Sequence, residues 1–94
     1  MDKQEARELA EGIANRLRRE TYADLVDRFL DTPEVMEAVG ATGTQYQVEV
    51  IAFWDDKKNR DLRVIVNIDD RRLRAFMPLT TDFIIAPDGS FIGE

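Results

Sequence analysis

Cysteine and histidine are both absent from this chain of 94 residues. Without cysteine, neither a disulfide framework nor a thiolate metal site can form, and without histidine the commonest general acid or base and the commonest metal ligand are missing. No apolar stretch approaches the roughly 20 residues that a membrane-spanning helix needs, and the charged N-terminus lacks the apolar segment of a signal peptide. These absences predict no metal or other cofactor, no membrane association and a cytoplasmic location.

Residue patterns for catalysis are scarce as well. Ser90 is the only serine, and in the stretch PDGS it is typical of a turn rather than of a nucleophile. The aspartates of residues 55–61 and those of residues 69–70 lie in loops at opposite ends of the predicted sheet, so they cannot converge on one substrate or ion. The first loop lacks the glycine of a calcium site and contains two lysines. We therefore predict no catalytic or metal-binding residue and a non-enzymatic protein.

The balance of residues that are present is that of one soluble globular domain, residues 1–94. Hydrophobic residues make up 44% of the chain and charged residues 34%. The formal net charge is −6 and the sequence pI is about 4.6, which disfavours nucleic acid as a partner because phosphate binding needs clustered lysine and arginine. A second copy of the chain or another protein remains as the expected partner.

The first third of the chain has helical periodicity. Apolar residues recur at helical spacing in residues 2–19, and again from Tyr22 to Leu30 after Thr21, which suits an N-cap. The stretch DTPEVMEAVG predicts a short third helix, because Thr32 suits its cap, Pro33 its first position and Gly40 its end. Its inward residues would be Val35, Met36 and Val39.

After the connection at residues 40–43 the period changes to two, which predicts strands. Three strands joined by short polar loops follow from Tyr46 to Met77, with a fourth strand around Asp82 to Ala86. A turn at residues 87–90 would let Phe91 and Ile92 pair back. The predicted fold class is α+β, with two to three N-terminal helices packed on one face of a three- to four-stranded antiparallel β-meander.

The alternation also predicts the register. A seven-residue loop at residues 55–61 places Trp54, Ala52 and Val50 opposite Leu62, Val64 and Val66, and a tight turn at residues 70–71 places Ile68, Val66 and Val64 opposite Leu73, Ala75 and Met77. The outer face then carries two groups of side chains. The expected apolar interface is Ile51, Phe53, Ile65 and Phe76, and its polar rim is Glu49, Arg63, Asn67 and Arg74.

Four large apolar side chains that are exposed together on a small domain indicate that a further segment or another protein packs over them. The cover is either the chain's own third helix or C-terminal tail, a second copy in a two-fold dimer, or a different protein. We therefore expect a protein-interaction module that acts through the outer sheet face or the acidic loops. One form of this hypothesis is an immunity or antidote partner of a basic toxin. The alternative is a small-ligand binder or enzyme with a pocket between helices and sheet, lined by Trp54, Tyr22 and Tyr46 and anchored by Asp55 or Arg63.

The stretches FWDD, DLRV, IDD and PDGSFIGE lie in residues 48–94. This half of the chain is similar to a family of small uncharacterised bacterial proteins, a domain of unknown function. The resemblance implies a compact bacterial domain that ends naturally at Glu94, and it assigns no catalytic residue.

Overall fold

A computed structural model describes residues 2–70 and 79–94 of the chain. Two N-terminal helices are followed by an antiparallel sheet of five strands, so the predicted α+β class is confirmed. The helices are α1 (Lys3–Leu17) and α2 (Tyr22–Phe29). The strands are β1 (Glu34–Val39), β2 (Gln45–Asp56), β3 (Asp61–Asp70), β4 (Leu79–Ile85) and β5 (Phe91–Ile92). Their order in the sheet is the order along the chain, which makes the sheet a meander.

Both helices begin at side-chain caps. Asp2 accepts a hydrogen bond from the backbone N–H of Glu5, and Thr21 accepts one from the N–H of Asp24, as its position in the sequence predicts. The buried stripe of α1 consists mostly of alanine, with Ala6, Ala10 and Ala14 almost fully buried. Small side chains let this helix lie close to the sheet, where it contacts β3 and β4, while α2 contacts β2 and β3.

The core lies between the helices and one face of the sheet, which we call the inner face. Alternate residues of the two long strands point into it and are fully buried: Val48, Val50 and Ala52 on β2, and Leu62, Val64, Val66 and Ile68 on β3. The β2–β3 register is the predicted one, with Trp54 opposite Leu62 and Ala52 opposite Val64. Agreement at these pairs shows that the period-two pattern alone determined this hairpin.

The third predicted helix is wrong, because residues 34–39 form strand β1 along the edge of β2. Met36 and Ala38 face the core side, whereas Val35 and Val39 point the other way and are 55% and 63% exposed. Six residues make less than two turns of helix, and the ladder to β2 satisfies the backbone of this segment better than so short a helix would. The features interpreted as helix caps suit this strand too, since Pro33 immediately precedes its first residue.

The predicted partner of β3 is also wrong. Ile68, Val66 and Val64 lie opposite Leu79, Thr81 and Phe83 of β4, rather than opposite Leu73, Ala75 and Met77. The last three residues lie outside the described part of the chain. The later elements agree better with prediction, because β4 includes most of the expected fourth strand. The turn at residues 87–90 closes through a hydrogen bond from the Ala86 N–H to the Ser90 carbonyl and one from the Gly89 N–H to the Ala86 carbonyl, and Phe91 and Ile92 pair back as β5.

Candidate functional site: the outer face of the sheet

The outer face is the side of the sheet that points away from both helices. Rows of side chains cross it, each defined by residues that lie opposite one another on neighbouring strands, and three of these rows contain the predicted site residues that the structure describes. One row is Val35, Glu49, Asn67 and Thr80; the next is Ile51, Ile65 and Asp82; the third is Phe53, Arg63, Ile84 and Ile92. The first row is mainly polar and the other two mainly apolar. The face is therefore divided along the strand direction into a polar half and an apolar half.

The structure brings together three of the four predicted interface residues, since Ile51, Phe53 and Ile65 are neighbours in the apolar half. Phe76 lies outside the described residues. Of the predicted polar rim, Glu49, Arg63 and Asn67 lie on this face, and Arg74 is outside the described residues as well.

Two residues of β4 occupy the positions on the outer face that were predicted for Phe76 and Arg74. Asp82 lies opposite Ile65, and Thr80 lies opposite Asn67. Two further apolar residues were missed, Ile84 and Ile92, which pair with each other at the far side of the face. The sequence does contain a signal for Ile84, because an unbroken apolar run at residues 83–85 is typical of a strand with both faces apolar.

We call Ile51, Phe53, Ile65, Ile84 and Ile92 the outer-face patch. Phe53 and Ile92 are 39% and 40% exposed, and the other three members are half-buried by their neighbours within the sheet. Contiguous apolar surface of this kind on a small domain is typical of an interaction site.

Arg63 lies in the middle of this patch, and its charge is compensated within the face. Its guanidinium donates to Asp55 Oδ1 from Nε at 3.0 Å and from Nη2 at 2.7 Å, and Nη1 donates to Asp82. The hydrogen bonds that Arg63 donates to these two carboxylates raise its pKa above the usual range. We call these three residues the Arg63 clamp. The clamp keeps Arg63, the only cation of the two apolar rows, bonded to side chains of the same face. The isoleucines around it therefore border a charge that already has partners.

The polar half is bonded internally as well. Thr80 Oγ1 donates to Asn67 Oδ1 at 2.7 Å, and Asn67 Nδ2 donates to Glu49 Oε1 at 3.3 Å, so three strands share one ladder of side-chain hydrogen bonds. A depression of about 170 Å³ lies beside this ladder, lined by Gln47, Glu49, Asn67 and Asp69. The polar groups of the face are thus largely satisfied by one another, which lowers the cost of covering it.

Neither the segment predicted as a third helix nor the C-terminal tail lies over the face. Residues 34–39 and 91–92, considered as possible covers in the sequence analysis, form the two edge strands and widen the sheet instead. Both helices pack on the inner face, where their buried residues join one core cluster with those of the sheet. No described helix therefore lies over the outer-face patch.

The alternative site, a pocket between helices and sheet, does not assemble. Tyr46 is completely buried and donates to Glu5 Oε1 at 2.8 Å, while the Tyr22 hydroxyl donates to the carbonyl of Arg60 at 2.6 Å. Asp55 and Arg63, the expected anchors, bond to each other on the opposite side of the sheet. Trp54 and Tyr22 both lie beside Arg60. Tyr46 fills the core instead, and Asp55 and Arg63 lie on the outer face, so these three do not line one cavity with them.

The acidic stretch at residues 55–61 was predicted as one seven-residue loop, which is wrong: β2 extends to Asp56, residues 57–60 form the turn, and β3 begins at Asp61. Asp56 accepts hydrogen bonds from the N–H groups of Lys58 and Asn59 and from the Asn59 side chain, which fixes the β2–β3 turn. Within residues 2–70 and 79–94, no three side chains of the types that bind metals come together. In the same residues, neither helix combines the length and apolar character needed to cross a membrane.

Comparison with known proteins gives no family for this chain: no family model, no curated protein and no solved structure matches it. The resemblance to small uncharacterised bacterial proteins therefore stays a prediction. Any function must be argued from the molecule itself.

Proposed function

We propose that this protein is a non-enzymatic protein-interaction module whose binding surface is the outer face of the sheet. The observation that carries the proposal is the outer-face patch, five neighbouring apolar side chains over which no described helix packs. Covering a Leu- or Ile-sized side chain completely is worth about 1.5 to 3 kcal/mol, and these residues are already partly covered. Burial of the whole patch would still supply several kcal/mol of binding free energy.

The arrangement of polar groups supports the same proposal. A partner that covers the patch need not supply an acid for Arg63, because Asp55 and Asp82 already bond to it. Leaving a charge buried and unpaired is what most often makes an interface unfavourable. This face avoids that cost, because every charge at its centre already has a partner of opposite sign within the face.

The test compares the binding partners of the wild-type chain with those of the double variant Ile51→Thr, Ile65→Thr. Both versions, tagged identically, are used to recover bound proteins, including an untagged copy of the chain itself. The control is Val39→Thr, which removes apolar surface that is 63% exposed at the far end of edge strand β1. We expect the partner to be retained by the control and lost by the double variant. Equal recovery by all three folded proteins would contradict the proposal.

A further inference from the structure

We infer that the outer-face patch binds a basic amphipathic helix of another protein, whose apolar side chains lie on the patch and whose lysine or arginine side chains lie beside the acids that border it. This inference rests on the proposed function and names the chemistry of the partner. Two features of the face support it, the sign of its charges and the shape of its apolar part.

The charges around the outer-face patch are mostly negative. Four carboxylates and one cation lie there on β2, β3 and β4: Glu49, Asp55, Asp69 and Asp82, with Arg63. Four negative charges and one positive charge leave these five side chains with a net charge of −3. The Arg63 clamp keeps one net negative charge of its own, because two carboxylates share one guanidinium. A second copy of the chain would bring the same excess of acid against itself, whereas a basic partner is attracted to it.

The cations of the β2–β3 turn do not cancel this charge. The guanidinium of Arg60 lies 4.7 Å from the centre of the Trp54 ring, which belongs to the inner side of β2. Lys57 lines a hollow together with Asp31, whose charge is opposite. The acids beside the patch are therefore left for a partner.

The apolar part of the face is a narrow strip. Its two rows, Ile51 with Ile65 and Phe53 with Ile84 and Ile92, are two residues apart along the strands, which is about 7 Å, and the longer row crosses four strands, which is about 14 Å. A single helix is about 10 Å wide and covers about 16 Å in three turns. One helix therefore matches the strip in both dimensions, and helices already cover the inner face of the same sheet.

Acids border this strip on both of its long sides. Glu49 precedes Ile51 by two residues, with Asp69 further along the polar half, and Asp55 follows Phe53 by two residues. A helix that lies along the strip places the residues on either side of its apolar stripe next to these carboxylates. Lysine and arginine suit such positions, because their apolar stems stay on the strip while their charges reach the acids.

The test uses a synthetic helix as the probe, a peptide of about 18 residues of leucine, alanine and lysine with the leucines on one face and lysines on both flanks. Isothermal titration calorimetry at low salt measures its affinity for the full chain. We expect a dissociation constant on the order of 10 to 100 µM. The variant Ile51→Thr, Ile65→Thr should bind at least about tenfold more weakly, because the patch loses apolar area. A peptide with glutamate in place of every lysine should also bind the wild type at least about tenfold more weakly.

Matched substitutions separate the acids of the face from the overall charge of the chain. Glu49→Gln, Asp69→Asn removes two charges from the face, and Glu11→Gln, Asp27→Asn removes two from exposed positions on α1 and α2. We expect the first variant to bind the lysine peptide about fivefold more weakly and the second to stay within about twofold of the wild type. Circular dichroism confirms that each variant is folded. Equal losses in both variants, or no binding to the wild type at about 500 µM peptide, would overturn the inference.

The two proposals fail in different ways. If a protein is recovered through Ile51 and Ile65 but the lysine peptide does not bind, the face is an interface and only the chemistry of its partner is wrong. If neither the peptide nor any recovered protein depends on Ile51 and Ile65, the proposed function falls together with the inference.

Discussion

Tyr46 is the largest fully buried side chain of the protein, and its hydroxyl is joined to a charged group. It donates to Glu5 Oε1 at 2.8 Å, and the same carboxylate accepts from the N–H and the hydroxyl of Thr42. Gly40 leaves the space that this carboxylate occupies, since a Cβ there would come within 2.1 Å of Glu5 Oε1. These contacts connect the first turn of α1 to the β1–β2 hairpin.

The pKa of Tyr46 makes this connection sensitive to alkaline pH. Burial and the hydrogen bond to Glu5 raise the pKa of Tyr46 from 10.0 to about 12. A group whose pKa is higher in the folded state contributes stability that is fully present below the unfolded pKa and is lost as pH rises through the folded pKa. The folded state should therefore lose stability between pH 10 and pH 12, by up to about 3 kcal/mol.

Replacing Tyr46→Phe tests this effect. At pH 7 the variant should be less stable by about 1 to 2 kcal/mol, because a hydrogen bond to a charged group is lost. Between pH 9 and pH 11 its free energy of unfolding should decline less steeply than that of the wild type, so the two stabilities should converge. Urea denaturation at several pH values measures this, and parallel decline of both proteins would contradict the assignment.

At the scale of elements, the long hairpin was predictable and the edge of the sheet was not. In β2 and β3 the alternation extends over ten or more residues, and the phase of one strand fixes that of the other. In residues 34–39 the same residues satisfy a helical and an extended pattern, and the choice depends on hydrogen bonds to β2, which is distant in sequence. Short segments between strong elements are decided by such tertiary contacts.

The partner of β3 shows a second limit. Leu73, Ala75 and Met77 have the same parity as Leu79, Thr81 and Phe83, so alternation alone gives either set the correct face. The predicted register assumed the shorter loop, a tight turn at residues 70–71. As a result the outer face was predicted with Phe76 and Arg74 where Asp82 and Thr80 lie, although Ile51, Phe53 and Ile65 were placed correctly.

Strand β5 is two residues long and needs support beyond its ladder to β4. Arg18, at the end of α1, provides it: its guanidinium lies 5.1 Å from the centre of the Phe83 ring and 5.8 Å from that of Phe91, and Nη2 donates to Glu94 at 2.9 Å. The two phenylalanine rings also meet edge to face, with centroids 5.8 Å apart. One arginine thus joins the first helix to the last strand.

The substitution Arg18→Met, which keeps the apolar stem and removes the charge, should loosen β5 more than it destabilises the whole protein. Partly exposed ion pairs and cation–π contacts contribute about 0.5 to 1 kcal/mol each, so we expect a global loss near 1 kcal/mol. Backbone amides of Phe91 and Ile92 should exchange with deuterium several-fold faster, while those of Val64 and Val66 change little. Uniform acceleration along the chain would show that Arg18 acts on global stability instead. Arg28→Met is the matched control, because Arg28 also stacks on a phenylalanine and pairs with an acid, but far from β5.

Considered as a whole, the molecule uses the two sides of its sheet differently. The inner face is closed by both helices, and its residues on the central parts of β2 and β3 are completely buried. The outer face carries apolar residues of similar size that stay partly exposed, with their polar neighbours bonded to one another. Folding requires the first face to be apolar. The apolar character of the second is not explained by folding alone, which is the physical basis for assigning it to binding.

This division predicts losses of stability of different size when threonine replaces two adjacent residues, one on each face of the sheet. Val66→Thr places a hydroxyl at a site with no exposure and should destabilise the protein by about 1 to 3 kcal/mol, whereas Ile65→Thr, on the outer face, should cost less than about 1 kcal/mol in dilute solution. Urea unfolding at about 1 µM measures both. If Ile65→Thr were as destabilising as Val66→Thr at 1 µM, Ile65 would belong to the folding core, and the outer-face patch would lose its central residue.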